Sequence, residues 1–291
     1  MARSDLRGPS ADALADLTEK LGPARGIRAG VARLASRVTG HEDETTGSDL
    51  AQVGDDLFAV AGVLRREASV RRMVTDVSTE PRAKSGLVRQ LLDGKIGSRA
   101  LDLVADAVER RWTRTRDLAD ALEHLGVVAV VDSAGDDAQR LSDELFTVGR
   151  MLEQEPDLRT ALSDPARTTD DKAALLRSLL EGRTLPATLR LTEQALRGTE
   201  RTVSIAIEEY QKIAADAHGA RVATVRVAKE ISAADQERLA AALSRQYDRP
   251  VHLNVVLEPG LIGGMRVEIG DDVIDGAVSS RLDDARRRLA G

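Results

Sequence analysis

Shifted by 88 residues (143 minus 55), the sequence matches itself: Asp55-Asp56-Leu57-Phe58 returns as Asp143-Glu144-Leu145-Phe146. At that offset Val60 meets Val148, Leu64 meets Leu152, Glu67 meets Glu155, Arg71 meets Arg159 and Asp76 meets Asp164. The match runs on without a gap through Lys84 and Lys172, Leu87 and Leu175, Arg89 and Arg177, Leu91-Leu92 and Leu179-Leu180, and Gly94 and Gly182. Leu101, Leu103 and Ala107 then fall on Leu189, Leu191 and Ala195, and Arg114-Thr115 returns as Arg201-Thr202 after a one-residue slip. Leu-rich helices share stripe positions by chance, but not the Asp, Lys, Arg and Gly between them. The pattern is a tandem duplication, and a repeat decides the architecture before any single element does. Two copies are fewer than a solenoid needs, so the expectation is two adjoining helical bundles.

Within the first copy Leu50, Val53, Leu57, Val60 and Leu64 step by three and four, which places them on one helical stripe. Further helices are predicted over Pro81–Leu92, stopped by Gly94, over Ser98–Arg111 with Leu101, Val104 and Val108 inward, and from Asp117 toward Val131. Aromatic residues are only 2% of the 291, so the core must be built from Leu, Val, Ile and Ala, which favours helix packed on helix. Hydrophobic residues at 42% and charged residues at 31% are a globular balance, and the length suits about two domains.

Two regions lie outside the repeat. Residues 1–48 read as a leader and linker: Ser10 caps a short helix with Leu14, Leu17 and Leu21 on one side, and Gly22-Pro23 stops it. Val31, Leu34 and Val38 with Arg25, Arg28, Arg33 and Arg37 form a basic amphipathic piece, and His41–Gly47 reads as polar linker. After His218 the period changes to 2. A strand is expected over Val222–Val227, a helix from a Ser232/Asp235 capping box to Tyr247, and a strand from Val251 to Leu257. A hairpin comes next, Met265–Ile269 and Val273-Ile274 about Gly270-Asp271, before a last helix with Val278, Leu282, Ala285 and Leu289. The predicted fold is α+β and mostly α. Its divisions are a leader over 1–48, bundle copies over 49–135 and 136–218, and a small α/β module with a β-hairpin over 219–291.

The chain offers little to chemistry. It has no cysteine, so disulfides, thiolate-held zinc, iron–sulfur clusters and thiol nucleophiles are excluded. No phosphate-binding G-x-x-x-x-G-K-[ST], dinucleotide G-x-G-x-x-G or metalloprotease H-E-x-x-H pattern occurs. His41, His124, His218 and His252 are scattered, with no pair at i, i+3 or i+4. Gly260, Gly263 and Gly264 lead into a strand, so they suit a turn or bulge better than an anion cradle. The pairs Asp55-Asp56, Asp143-Glu144 and Asp271-Asp272 read as solvated. Arg110-Arg111-Trp112-Thr113-Arg114 with Arg116 could stack on nucleic acid, but the second copy loses the Trp, which favours a helix end or a protein contact. A net charge of −6 argues against a nucleic-acid surface, and no run approaches the ~18 apolar residues of a membrane span. Neither a cofactor nor a metal is expected.

The C-terminal stretch carries a resemblance. Leu261-Ile262-Gly263-Gly264-Met265-Arg266-Val267-Glu268-Ile269-Gly270-Asp271-Asp272-Val273-Ile274-Asp275-Gly276-Ala277-Val278, followed by Arg281-Leu282, resembles the signature of the ATP synthase delta subunit family, called oligomycin-sensitivity-conferring protein in mitochondria. Residues 143–228 resemble most of that family's helical domain, and the additional bundle resembles the longer bacterial versions. The resemblance implies a non-catalytic peripheral-stalk subunit of a proton-translocating ATP synthase. Its helical domain would receive the N-terminal helices of alpha subunits and touch other subunits of the catalytic head. The C-terminal module would meet the b-type stalk subunit. It further implies a peripheral place on the cytoplasmic face of the cell membrane, with membrane association only through the complex and no nucleic-acid partner. Gly263, Gly264, Gly270, Asp271, Ile274, Asp275, Gly276, Arg281 and Leu282 are then structural or partner-facing. The alternative reading is a helical-repeat interaction adaptor unrelated to ATP synthase.

Overall fold

A computed structural model describes residues 6–21, 43–198, 200, 202–217, 221–247, 251–259, 261, 264–269 and 272–275. The basic piece at 25–38 and the last helix expected after 276 lie outside the described residues. The chain divides into two units, Met1–Ala217 and His218–Gly291. The divisions expected at 48/49 and 135/136 both fall inside the first of these.

Eleven described helices build the helical unit. The leader gives α1 (Pro9–Leu21). The first copy contributes α2 (Asp43–Arg66), α3 (Ala68–Thr75), α4 (Pro81–Leu92), α5 (Ser98–Glu109) and α6 (Asp117–Ser133). The second contributes α7 (Ala138–Gln154), α8 (Pro156–Ser163), α9 (Thr169–Leu180), α10 (Pro186–Arg197) and α11 (Val203–Ala217). The ends of α3 to α5 recur in α8 to α10 at the 88-residue offset. Gly94 (φ 67°) and Gly182 (φ 73°) come just after α4 and α9 in the left-handed conformation that glycine adopts without a Cβ penalty.

The polar residues that betrayed the repeat do the same work in both copies. Arg71 Nη1 donates to the Leu64 and Arg65 carbonyls at 2.7 and 3.1 Å, and Arg159 Nη1 donates to those of Leu152 and Glu153 at 3.3 and 2.5 Å. Each guanidinium thus satisfies carbonyls left over at the end of a long helix. Asp56 accepts the Gly97 amide at 2.8 Å, and Glu144 accepts that of Leu185 at 2.7 Å, each pinning the residue just before the fourth helix of its copy. The reading of Asp56 and Glu144 as solvated is therefore corrected: they are tied to backbone. Two further corrections concern the leader. Helix α2 begins at Asp43, inside the run taken for linker. Ser10 lies inside α1, and its hydroxyl donates to the buried Asp117 at 2.8 Å while accepting the Thr113 amide at 2.7 Å.

Two apolar clusters fill this unit, and α6 belongs to both. Leu118, Ala121, Leu122, Leu125, Val128 and Ala129 join α1, α2 and α5 in the first. Val127, Val130 and Val131 join α7, α10 and α11 in the second. Three turns of one helix thereby bury apolar area on opposite sides, each methylene contributing about 0.8 kcal/mol.

The second unit is a four-stranded sheet in the order β2-β1-β3-β4, with β1 Arg221–Val227, β2 Val251–Leu257, β3 Met265–Ile269 and β4 Asp272–Asp275. β1 runs parallel to β2 and antiparallel to β3, and β3 and β4 form the expected antiparallel pair. Helix α12 (Ala233–Tyr247) makes the crossover that parallel neighbours require. Ser232 opens it, its Oγ accepting the Asp235 amide at 3.2 Å. The period-2 alternation sends Ala223, Val225, Val227, Val267 and Ile269 to one face, where they meet Leu243.

Candidate functional site

Of the nine signature residues, three are described. Gly264 has φ 81° at the entry to β3, so backbone freedom is its contribution. Ile274 sits on β4 opposite Val267 and is exposed, and Asp275 is opposite Arg266 in the backbone register. Gly263, Gly270, Asp271, Gly276, Arg281 and Leu282 lie outside the described residues. No group of three His, Asp or Glu among the described residues is disposed to hold a metal ion.

The dense polar constellation lies elsewhere, at the seam between the two copies. Glu123 of α6 is 7% exposed. Its Oε1 accepts the Tyr210 hydroxyl of α11 at 3.0 Å and the Gln194 side-chain amide of α10 at 3.0 Å, and its Oε2 accepts Arg65 of α2. Arg65 also lies 3.7 Å from Asp120. A buried carboxylate is costly unless it is paired and hydrogen-bonded, and here donors from both copies do this together. Burial, reinforced by the adjacent carboxylate, holds the Tyr210 hydroxyl well above the usual tyrosine range, so it stays a donor. Gly198 ends α10 against this group, and a Cβ there would collide with the Glu123 carboxylate.

Around the clasp, Arg190 Nε of α10 donates to Asp55 of α2 at 3.1 Å, and Phe58 of α2 packs on the second cluster. Phe58, Val63, Arg66, Arg190, Leu196 and Arg197 are among the residues lining an open cleft of about 750 Å³ along this seam. Val63 is 42% exposed there, and Ile205 is exposed on α11. The seam can hold two copies in fixed register and present a mixed apolar and charged helix face. The sequence signal for it was faint. Glu123 and Tyr210 stand at equivalent positions of the closing helices, at the 87-residue offset left by the one-residue slip, but nothing local marks them as partners.

The remaining candidates resolve locally. Trp112 is buried and its indole donates to the Ala107 carbonyl at 2.9 Å, so it closes α5 and is not a platform for bases. Arg110 pairs with Asp16 of α1. Burial lowers the Lys84 pKa, and its ammonium donates to the Asp76 carbonyl oxygen at 3.1 Å. The Asp76 carboxyl is held below the usual range by the Ser78 amide and hydroxyl. No helix among the described residues is long and apolar enough to cross a membrane.

Comparison with known proteins gives one consistent result. The family described as ATP synthase delta (OSCP) subunit matches residues 127–289, beginning within α6 and covering the second copy and the sheet module. A protein named ATP synthase subunit delta from a Nocardioides species is 56% identical over 289 residues, covering 99% of this chain and 98% of the relative. Proteins of the same name are similar in Kineococcus radiotolerans, 41% identical over 91% of this chain and 99% of the relative, and in Thermobifida fusca, 38% identical over 86% and 94%. Such coverage includes the first copy as well as the second.

Proposed function

This chain belongs to the ATP synthase delta (OSCP) subunit family, and from that premise we propose that its helical unit grips the catalytic head while its sheet module meets the b-type stalk. As a member it is a non-catalytic peripheral-stalk subunit of a proton-translocating ATP synthase. Rotary catalysis does work only when the head is kept from turning with the central shaft, so the part played here is to resist torque, and no bond is made or broken. The partners on the head are amphipathic N-terminal helices of alpha subunits, docked helix against helix with their apolar residues in the unit's seams. The complex stands at the cytoplasmic face of the cell membrane, and this chain is held there by its neighbours.

The observation that carries this reading is the family match that runs unbroken from α6 through the hairpin, so that bundle and sheet belong to one functional stretch. The seam supports it mechanically. Load applied to one copy reaches the other through Glu123, Arg65, Gln194 and Tyr210, and several moderate contacts on one chain add through effective concentration. Within the sheet module Gly264 shapes the hairpin entry, and Ile274 and Asp275 are proposed to face the stalk partner. Affinity isolation of a tagged chain from membranes tests the assignment. Alpha, beta and b-type subunits are expected to come with it, together with loss of proton-driven phosphorylation in cells lacking the chain. Recovery of the tagged chain alone overturns it.

A further inference from the structure

The turn after α3 and the end of α5 meet at a feature that the second copy lacks. Met73 and Val77 are 41% and 73% exposed, and with Trp112 as floor they line a cleft of about 510 Å³. Arg72 lines it too, and Arg111 and Arg116 flank Trp112 and Thr115 in the chain. These three guanidinium groups are exposed and form no ion pair among the described residues. The carboxylate that lines the cleft, Asp76, is occupied by the Ser78 amide and hydroxyl at 2.9 Å and by the Thr79 hydroxyl at 3.3 Å. At the 88-residue offset Arg72, Met73, Val77, Arg111 and Trp112 correspond to Thr160, Ala161, Pro165, Thr199 and Glu200. Apolar contacts and positive charge have therefore parted company with the second copy together, at one place.

We propose that this cleft of the first copy is a docking site for an acidic amphipathic segment of another polypeptide. The apolar residues of that segment would seat on Met73, Val77 and Trp112, and its carboxylates would pair with Arg72, Arg111 and Arg116. Charge selects the occupant. On a chain of net charge −6, a basic rim around exposed apolar side chains favours a carboxylate-rich partner and repels a basic one. An aliphatic anchor entering a pocket floored by tryptophan has the form of an interface hot spot.

Two measurements test this. The first uses the assembled complex and so rests on the stalk reading. The chain has no cysteine, so Val77→Cys takes a single benzophenone label before reconstitution onto membranes depleted of the subunit. Illumination is expected to give an adduct on an acid-rich, apolar-spaced segment of a neighbouring subunit, and adding Arg72→Glu is expected to cut its yield roughly tenfold. A label at Pro165 is expected to give none. With the chain retained in the complex, no adduct, an adduct on lipid or nucleic acid, or a yield indifferent to Arg72→Glu overturns the proposal. Failure of the chain to co-purify with the complex overturns the stalk reading instead. The second measurement is independent of assembly, because Trp112 is the sole tryptophan. Its emission is expected to change saturably with a synthetic Glu/Leu amphipathic peptide and not with its Lys/Leu counterpart; the reverse order, or no response to either, overturns the proposal.

Discussion

Helices α6 and α11 close the two copies, descend from one ancestral segment, and have opposite fates. Along α6, Leu118, Ala121, Leu125 and Ala129 are buried in the first core with Leu14, Leu17 and Leu21 of α1. The equivalent positions of α11 are Ile205, Glu208, Lys212 and Asp216, all exposed. The pairing of each closing helix with its long opening helix differs as well. Gly54 of α2 and Gly126 of α6 let those two backbones approach: a Cβ on Gly54 would stand 2.5 Å from Val130 Cγ2 and 3.0 Å from the Gly126 oxygen, and one on Gly126 would stand 2.6 Å from Phe58. In the second copy those positions are Ser142 and Ile213, whose side chains leave no room for a glycine-on-glycine approach. The face that differs is the one α1 covers on α6, and in the second copy the equivalent face of α11 is exposed. The closing helix packed between the leader and the second copy is core on both sides, whereas α11 buries Ala206, Ile207, Tyr210 and Ala214 on one side only.

The largest effect expected from this contrast concerns truncation. The repeat alone suggests that removing residues 50–131 leaves a remainder that folds by itself. That cut also removes Val127, Val130 and Val131 from the second core. The shortened protein is expected to melt broadly in calorimetry, whereas a fragment starting at Asp117 keeps a cooperative transition. Equal cooperativity in both would mean that α6 is not shared.

Next in size is the clasp. Glu123→Ala leaves Arg65, Tyr210 and Gln194 without their common acceptor, a loss of about 3 kcal/mol in urea unfolding. Close behind is Gly54→Ala, whose added methyl must displace Val130 or push α6 away, at about 2 kcal/mol. Tyr210→Phe should cost about 1 kcal/mol at neutral pH. It carries a pH signature too. Because the folded state raises the Tyr210 pKa, the unfolded chain ionises first, so the stability from this group is complete below pH ~10 and is lost as pH rises through the folded value. The alkaline decline of the parent chain should therefore be shallower in Tyr210→Phe, as urea denaturation across the alkaline range will show.

What the sequence revealed divides along the range of the forces involved. The stripe Leu50 to Leu64, the span of β2, the alternation of β3 and the Ser232 cap are local patterns and stand where the spacing put them, whereas within β2 Asn254 is buried and Leu257 exposed, against the alternation. The paired Arg71 and Arg159 announced themselves because a copy was present for comparison. Glu123 with Gln194 and Tyr210, 71 and 87 residues away, leaves no periodic trace. The residues 43–47 read as linker because acidic and hydroxyl side chains suit a loop as well as a helix, and the packing of α2 on α6 decides between them.

The smallest prediction sharpens the comparison most directly, because it acts on the position equivalent to Gly54. Ser142 of α7 is buried, and its hydroxyl finds no hydrogen-bond partner. At Gly54 a new methyl meets a wall; at Ser142 the Cβ is already accommodated, and the hydroxyl was desolvated without return. Ser142→Ala removes that unpaired group and improves helix propensity, so stability should hold or rise by about 0.5 kcal/mol. Gly54→Ala adds a Cβ where Val130 leaves no room, whereas Ser142→Ala keeps a Cβ that is already accommodated, so opposite signs are the expected mark of a closer approach of opening and closing helices in the first copy. If both variants were destabilised alike in urea, the two copies would be packed alike, and the close approach of α2 to α6 would not distinguish the first copy from the second.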